Sequence, residues 1–271
     1  KNNKLLILNN QGVKMAENQY GFPTEVLSLP SQGLLYPEDS PLRSGTIDVK
    51  YMTAKEEDIL TSTNLINQGV VIDKLLESII ANPKVKLNDM LVGDKNALMV
   101  GTRVLGYGKA YDITLLDPDT RERVEHSVDL TTLNNKKIDE TVYENGNKFL
   151  FETPNSKRVI EFKLLTHKDE EEIRETLKDY AKVEKLTGVS QNLSTRIKQS
   201  IISVDENTDR KFISDFVNDE FLALDARAYR KYADSITPDI ELKFDYTSQT
   251  GNQHKLDVPL GIEFFWPAAG E

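Results

Sequence analysis

Cysteine is missing altogether from the 271 residues, and histidine occurs three times. Without cysteine there is no disulfide framework, no thiol nucleophile and no cysteine-based zinc knuckle. Basic residues are in the minority: 34 Lys and Arg stand against 44 Asp and Glu, a formal net charge of −10. A nucleic-acid binder needs a basic face, so nucleic acid is not expected as a partner. No apolar run approaches the roughly 18 residues of a membrane span, and no membrane is expected either. Residues Lys1 to Leu8 are too short and too polar for a secretory signal, which makes the cytoplasm the expected compartment.

The signatures of chemistry are just as scarce. His126, His167 and His254 have no metal-ligand spacing between them, and each is expected on the solvated surface. Gly101 to Gly106 has the spacing of a phosphate-binding loop, but Tyr107 follows where a lysine is needed. Asp117, Asp119 and Glu122 could face a cation, yet Asp117-Pro118-Asp119 reads more simply as a turn. The sequence therefore predicts no catalytic residues, no cofactor, no metal and no small-molecule substrate.

What is present is folding information. Charged residues make up 29% of the chain and apolar residues 38%, with recurrent periodicity, as in a folded protein. Residues 47–51 alternate apolar and polar as a half-buried strand does. Thr53 and Glu56 have capping-box spacing and predict a helix to about Thr63. A second helix is predicted over 71–81, stopped before Pro83. A third is capped by Asp94, buries Ala97, Leu98 and Gly101, and ends at Gly108. Strands follow at 111–116 and 123–130, then at 148–151 and 158–164. Helices are predicted from Thr166 to about Lys185, from Ser190 with Leu193, Ile197 and Ile201 on one face, and from about Thr208 to Tyr232, the last with Phe212, Phe216 and Leu224 on an apolar stripe. Two strands close the chain, 240–244 and 255–265, and this hairpin looks like a repeat of the one at 111–130.

The first fourteen residues read differently. Codons for Gln11-Gly12-Val13-Lys14-Met15 can place AGGAG, a ribosome-binding site, a few bases before ATG. The chain is expected to start at Met15, with Leu5 to Leu8 as a short edge strand the competing reading.

Three large aromatics, Phe264, Phe265 and Trp266, stand in a row before Pro267. On a strand they must point to both faces. Either both faces are buried within the chain, or one is a surface where a partner docks; aromatic anchors favour such surfaces. These three residues are the candidate docking site.

The order of several short elements carries a resemblance. Pro30-Ser31-Gln32-Gly33-Leu34-Leu35-Tyr36-Pro37 is followed by Met52-Thr53-Ala54 and Glu56-Glu57-Asp58-Ile59-Leu60. Then come Gly93-Asp94-Lys95, Arg103, Tyr107-Gly108 and Tyr111, and finally Phe264-Phe265-Trp266-Pro267. In this the chain resembles the T4-type baseplate hub protein family of contractile-tailed bacteriophages, over Met15 to about Leu130 and again at the C-terminal strand. The resemblance implies a non-enzymatic part of the tail baseplate hub, with other hub or tail proteins as partners. It also implies assembly in the host cytoplasm, ending in the virion tail. A transient tail-assembly chaperone is the alternative it leaves open. Some relatives carry a Cys-Pro-x-Cys knuckle where this chain has Asp117-Pro118-Asp119-Thr120, so no zinc is carried over.

The resulting expectation is an α+β fold. After the possible leader at 1–14, a mixed domain (15–165) holds short strands, three helices and a β-hairpin. A helical segment (166–236) follows, and a C-terminal hairpin (237–271) packs back on the first part.

Overall fold

Strand β1 (Thr24–Ser28) opens the part of the chain that the computed structural model describes, residues 21–137 and 139–265. The possible leader at 1–14 and Trp266 both lie outside the described residues. Strand β1 pairs antiparallel with β2 (Thr46–Lys50), whose alternation buries Ile47 and Val49. Helices α1 (Ala54–Leu60), α2 (Thr63–Gln68), α3 (Val71–Ile79) and α4 (Val92–Tyr107) follow. The hairpin of β3 (Ala110–Leu116) and β4 (Arg123–Asp129) comes next, paired over seven residues.

The second half begins with β5 (Phe149–Glu152), β6 (Val159–Phe162), α5 (His167–Thr187), α6 (Asn192–Ser200) and β7 (Ile201–Val204). The strands form a sheet of order β5-β6-β7. Helices α7 (Arg210–Asp215) and α8 (Ala223–Ile236) then lead to the hairpin of β8 (Lys243–Thr247) and β9 (Gln253–Asp257). The architecture is mixed α+β with small antiparallel sheets, as the sequence predicts. Among the described residues one hydrophobic cluster takes buried side chains from Leu27 through Leu98, Phe162 and Phe216 to Phe265. Among the described residues no helix is long and apolar enough to cross a membrane.

Several local predictions are met. The Glu56 carboxylate accepts from the Thr53 N–H at 2.9 Å and from its hydroxyl at 2.6 Å, closing the capping box. Asp169 does the same for Thr166 at the start of α5.

Others are corrected. The first predicted helix stops at Leu60, and a separate α2 ends on Gly69 in the left-handed region. Helix α4 starts at Val92, two residues before Asp94, because the Val92 N–H is taken by the Leu165 carbonyl at 3.2 Å. Asp94 is thus a first-turn residue, not the cap. Ile201 opens strand β7 rather than extending α6; it pairs with Phe162 across the sheet. The single helix predicted over 208–232 is broken. A π-helical turn at Phe216–Glu220 follows α7, and Leu222 is extended. The break lets Asp225, in the first turn of α8, reach the β5–β6 turn, where it accepts from Asn155 and Ser156. In consequence Leu224 stands two-thirds exposed instead of on an apolar stripe. The last predicted strand ends at Asp257, two residues before Pro259, and Phe264 and Phe265 fall in a 3₁₀ turn.

Candidate functional site

The loop 30–37 and the start of α4 form one node. Asp94 is fully buried. Its carboxylate accepts from the Ser31 N–H at 2.9 Å, the Ser31 hydroxyl at 2.6 Å and the Tyr36 hydroxyl at 2.6 Å. The Tyr36 hydroxyl in turn accepts from the Leu91 N–H at 2.9 Å. Burial pushes the Asp94 carboxyl up, against the pull of Ser31 and Tyr36. Burial likewise pushes the Tyr36 phenol far up, so the phenol keeps its proton and donates it. Gly33 makes the loop possible: it sits at φ 78°, and a Cβ there would lie 2.3 Å from the Arg43 carbonyl oxygen. The Arg43 guanidinium closes the loop from outside, donating to the carbonyls of Gly33, Leu34 and Tyr36.

At the other end of α4, Arg103 is buried and donates to the carbonyls of Gly108 and Ala110, both at 3.1 Å. Its guanidinium lies over the rings of Tyr107 and Tyr111, at 5.3 and 5.8 Å from their centroids. Helix α4 is therefore fixed at both ends by residues that the sequence marks as a set.

A second cluster was not legible in the sequence. Contrary to the expectation of a surface residue, His167 is buried, 2% exposed. Its Nδ1 is 3.0 Å from Lys95 Nζ, and its Nε2 is 3.4 Å from Asp73 Oδ1 and 4.0 Å from Glu171 Oε1. Lys95 also donates to Asp73, and Arg174 approaches the same carboxylate at 3.8 Å. Burial and then Lys95 hold the imidazole pKa below its ordinary value. Asp73, His167 and Glu171 bring three ligand-type atoms within 4.8 Å of one another. The donor set does not favour a metal. The ammonium of Lys95 can only donate, so Nδ1 must accept and the ring proton sits on Nε2, facing the carboxylates. Lys95 and Arg174 already supply the positive charge.

The two hairpins lock through their turns. Asp117 is buried and accepts from the N–H groups of Asp119 and Thr120 in its own turn. It also accepts from the Tyr246 hydroxyl at 2.8 Å and the Gln249 N–H at 2.9 Å in the other hairpin. Asp119 accepts from Ser248, Thr250 and Asn252, and its Oδ1 lies 3.2 Å from His254 Nε2. These donors, Thr120 first for Asp117 and Ser248 first for Asp119, pull both carboxyls well below the ordinary range. Both Asp117 oxygens and Asp119 Oδ2 accept from the protein, and the Glu122 side chain is exposed. His126 is half-buried, stacked on Phe244 at 5.2 Å and edge-on to Tyr246 at 5.3 Å. All three histidines thus have protein partners.

The C-terminal aromatics are divided. Phe264 and Phe265 are both 0% exposed and pack edge to face, with centroids 5.3 Å apart. Phe264 also meets the Tyr111 ring at 5.0 Å, and the Tyr111 hydroxyl donates to the Pro259 carbonyl. Neither phenylalanine offers surface to a partner in this conformation, because the 3₁₀ turn rolls both rings inward. Trp266 lies outside the described residues.

Six buried carboxylates, Glu56, Asp73, Asp94, Asp117, Asp169 and Asp225, stand out among the described residues. Each accepts from groups that fix a helix start, a turn or a neighbouring element. Asp225 is held at a pKa of about 2 by the donors of Asn155 and Ser156, which outweigh its burial. A family model described as T4 bacteriophage base plate protein matches residues 34–266. No curated protein and no solved structure gives a match.

Proposed function

Because the chain belongs to the T4 bacteriophage base plate protein family, we propose that it is a structural subunit of the baseplate hub of a contractile-tailed phage. It acts without chemistry, by docking onto other hub and tail proteins. Assembly takes place in the host cytoplasm, and the finished subunit resides in the virion tail.

The observation that carries this reading beyond family membership is the use of the buried carboxylates. A catalytic carboxylate is left facing a cleft with its charge state tuned for proton transfer. Here each buried acid accepts from at least one group distant in sequence, as Asp94 ties Ser31 and Tyr36 to α4. Such ties stiffen a small mixed fold, which suits a part that bears contacts on several sides. Within the candidate docking set, Trp266 is assigned the anchor role, because Phe264 and Phe265 are buried within the chain.

Mass spectrometry of purified particles tests the proposal. A stoichiometric amount of this chain in the virion is expected. Its absence from virions together with abundance in infected-cell lysate would overturn the structural reading in favour of a transient assembly chaperone.

A further inference from the structure

An open cleft of about 290 Å³ lies where β6, α6 and α8 meet the start of α4. Val92, Phe162, Leu164, Ile197, Tyr229 and Ala233 contribute its apolar lining. Leu193 stands on its lip, 48% exposed. The volume is at the lower bound of small-molecule pockets, roughly 300 Å³, and matches an inserted side chain better than a cofactor.

The charges around it are unbalanced. Lys163, Arg196 and Arg230 border the cleft against Glu170 and Asp234. Lys163 donates to Asp169 at 2.7 Å, Arg196 grips Glu170 with two bonds of 2.6 Å, and Asp234 takes Lys136 at 3.0 Å. Arg230 is exposed, and its Nε donates to the Ala226 carbonyl at 3.2 Å. Among the described residues it has no carboxylate partner. In a chain of net charge −10, an apolar cleft bordered by a spare cation is a local reversal of sign. A guanidinium beside an apolar cleft that a partner covers is suited to pair a carboxylate in fork geometry.

We propose that this cleft receives a bulky apolar side chain of another baseplate protein, with an Asp or Glu beside it in that protein meeting Arg230. The inference rests on the reading of the chain as a baseplate subunit and adds the surface and the chemistry of the contact. Buried apolar anchors next to an arginine carry most of the energy in such interfaces.

The test places the photocrosslinker p-benzoylphenylalanine at Leu193 of the full chain during infection and sequences the crosslinked peptide. A peptide of another baseplate protein in which a large apolar residue adjoins Asp or Glu is expected. Peptides of this chain itself, peptides without the acidic neighbour, or no crosslink would each overturn the proposal. In parallel, Arg230→Glu and Leu193→Asp, both at exposed positions, are expected to lower co-purification with that partner about tenfold at an unchanged melting temperature. Wild-type co-purification in both variants would also overturn it. Because crosslinking is read in infected cells before particles are purified, it stands apart from the virion test. Absence of the chain from virions then counts against the structural role, and loss of the crosslink against the cleft.

Discussion

The Tyr36 hydroxyl lies 2.6 Å from Asp94 Oδ2, across 58 residues of sequence. The same oxygen accepts the Leu91 N–H, so one phenol joins the loop to the first turn of α4 and to the residue that caps it. Tyr36→Phe keeps the ring and removes the joint, leaving a buried amide and a buried carboxylate each short of a partner. A loss of about 1–3 kcal/mol is expected, seen as a lower denaturant midpoint at unchanged slope. A midpoint equal to wild type would show that the node holds nothing.

His167 ties stability to pH. The folded chain keeps the imidazole neutral, through burial first and Lys95 second, against the opposing pull of Asp73 and Glu171. The unfolded chain takes up the proton near the ordinary value of about 6.5. Below that pH the unfolded state binds more protons, so stability falls with acidification until the folded pKa is passed. Melting temperatures followed from about pH 7.5 down to about pH 5 should drop in the wild type and drop less in His167→Gln. Parallel curves would remove His167 as the cause.

Gly93 and Gly106 stand on the same helix and should respond differently. A Cβ at Gly93 would lie 1.9 Å from the Pro238 carbonyl oxygen, a backbone atom that cannot step aside. At Gly106 the first obstacle is the Met52 sulfur at 2.5 Å, the far part of a flexible side chain. Gly93→Ala is expected to destabilise by about 1–3 kcal/mol or more. Gly106→Ala should be near neutral, because relief of glycine's helix penalty of roughly 1 kcal/mol offsets the shift of Met52. Chemical denaturation of the two variants side by side decides it.

Phe265 and Trp266 adjoin in sequence but have different expected tasks. Phe265→Ala empties a fully buried site and should cost about 3–5 kcal/mol of folding stability. Trp266→Ala is expected to weaken docking to baseplate partners by more than about 1 kcal/mol. Calorimetry reads the first effect and co-assembly with baseplate proteins the second. A Trp266→Ala chain that assembles normally would end its candidacy as an anchor.

Much of the local structure was legible in the sequence because its causes are local. The Thr53–Glu56 box closes within one turn, and the alternation of residues 47–51 needs only the two-residue period of a strand. The turn at Asp117-Pro118-Asp119 is built from its own side chains and amides. The resemblance also picked out Ser31, Tyr36, Asp94, Arg103 and Tyr111 as one set. It offered no reason for the grouping.

Tertiary structure decided what depends on partners far along the chain. Ile201 reads as the last turn of a helix until Phe162 is beside it as a strand neighbour. The apolar run after Thr208 reads as one helix until Asp225 is drawn to Asn155 and Ser156, which requires a break at Leu222. His167 reads as a solvated cap residue until α3 and α4 bring Asp73 and Lys95 to it. By itself the sequence determined most of the locally capped helices and alternating strands, the acidic charge and the membership of the Asp94 set. Burial, hydrogen-bond pairing and the seating of Phe264 and Phe265 were set by packing, because the energy of a buried polar or aromatic group depends on what surrounds it.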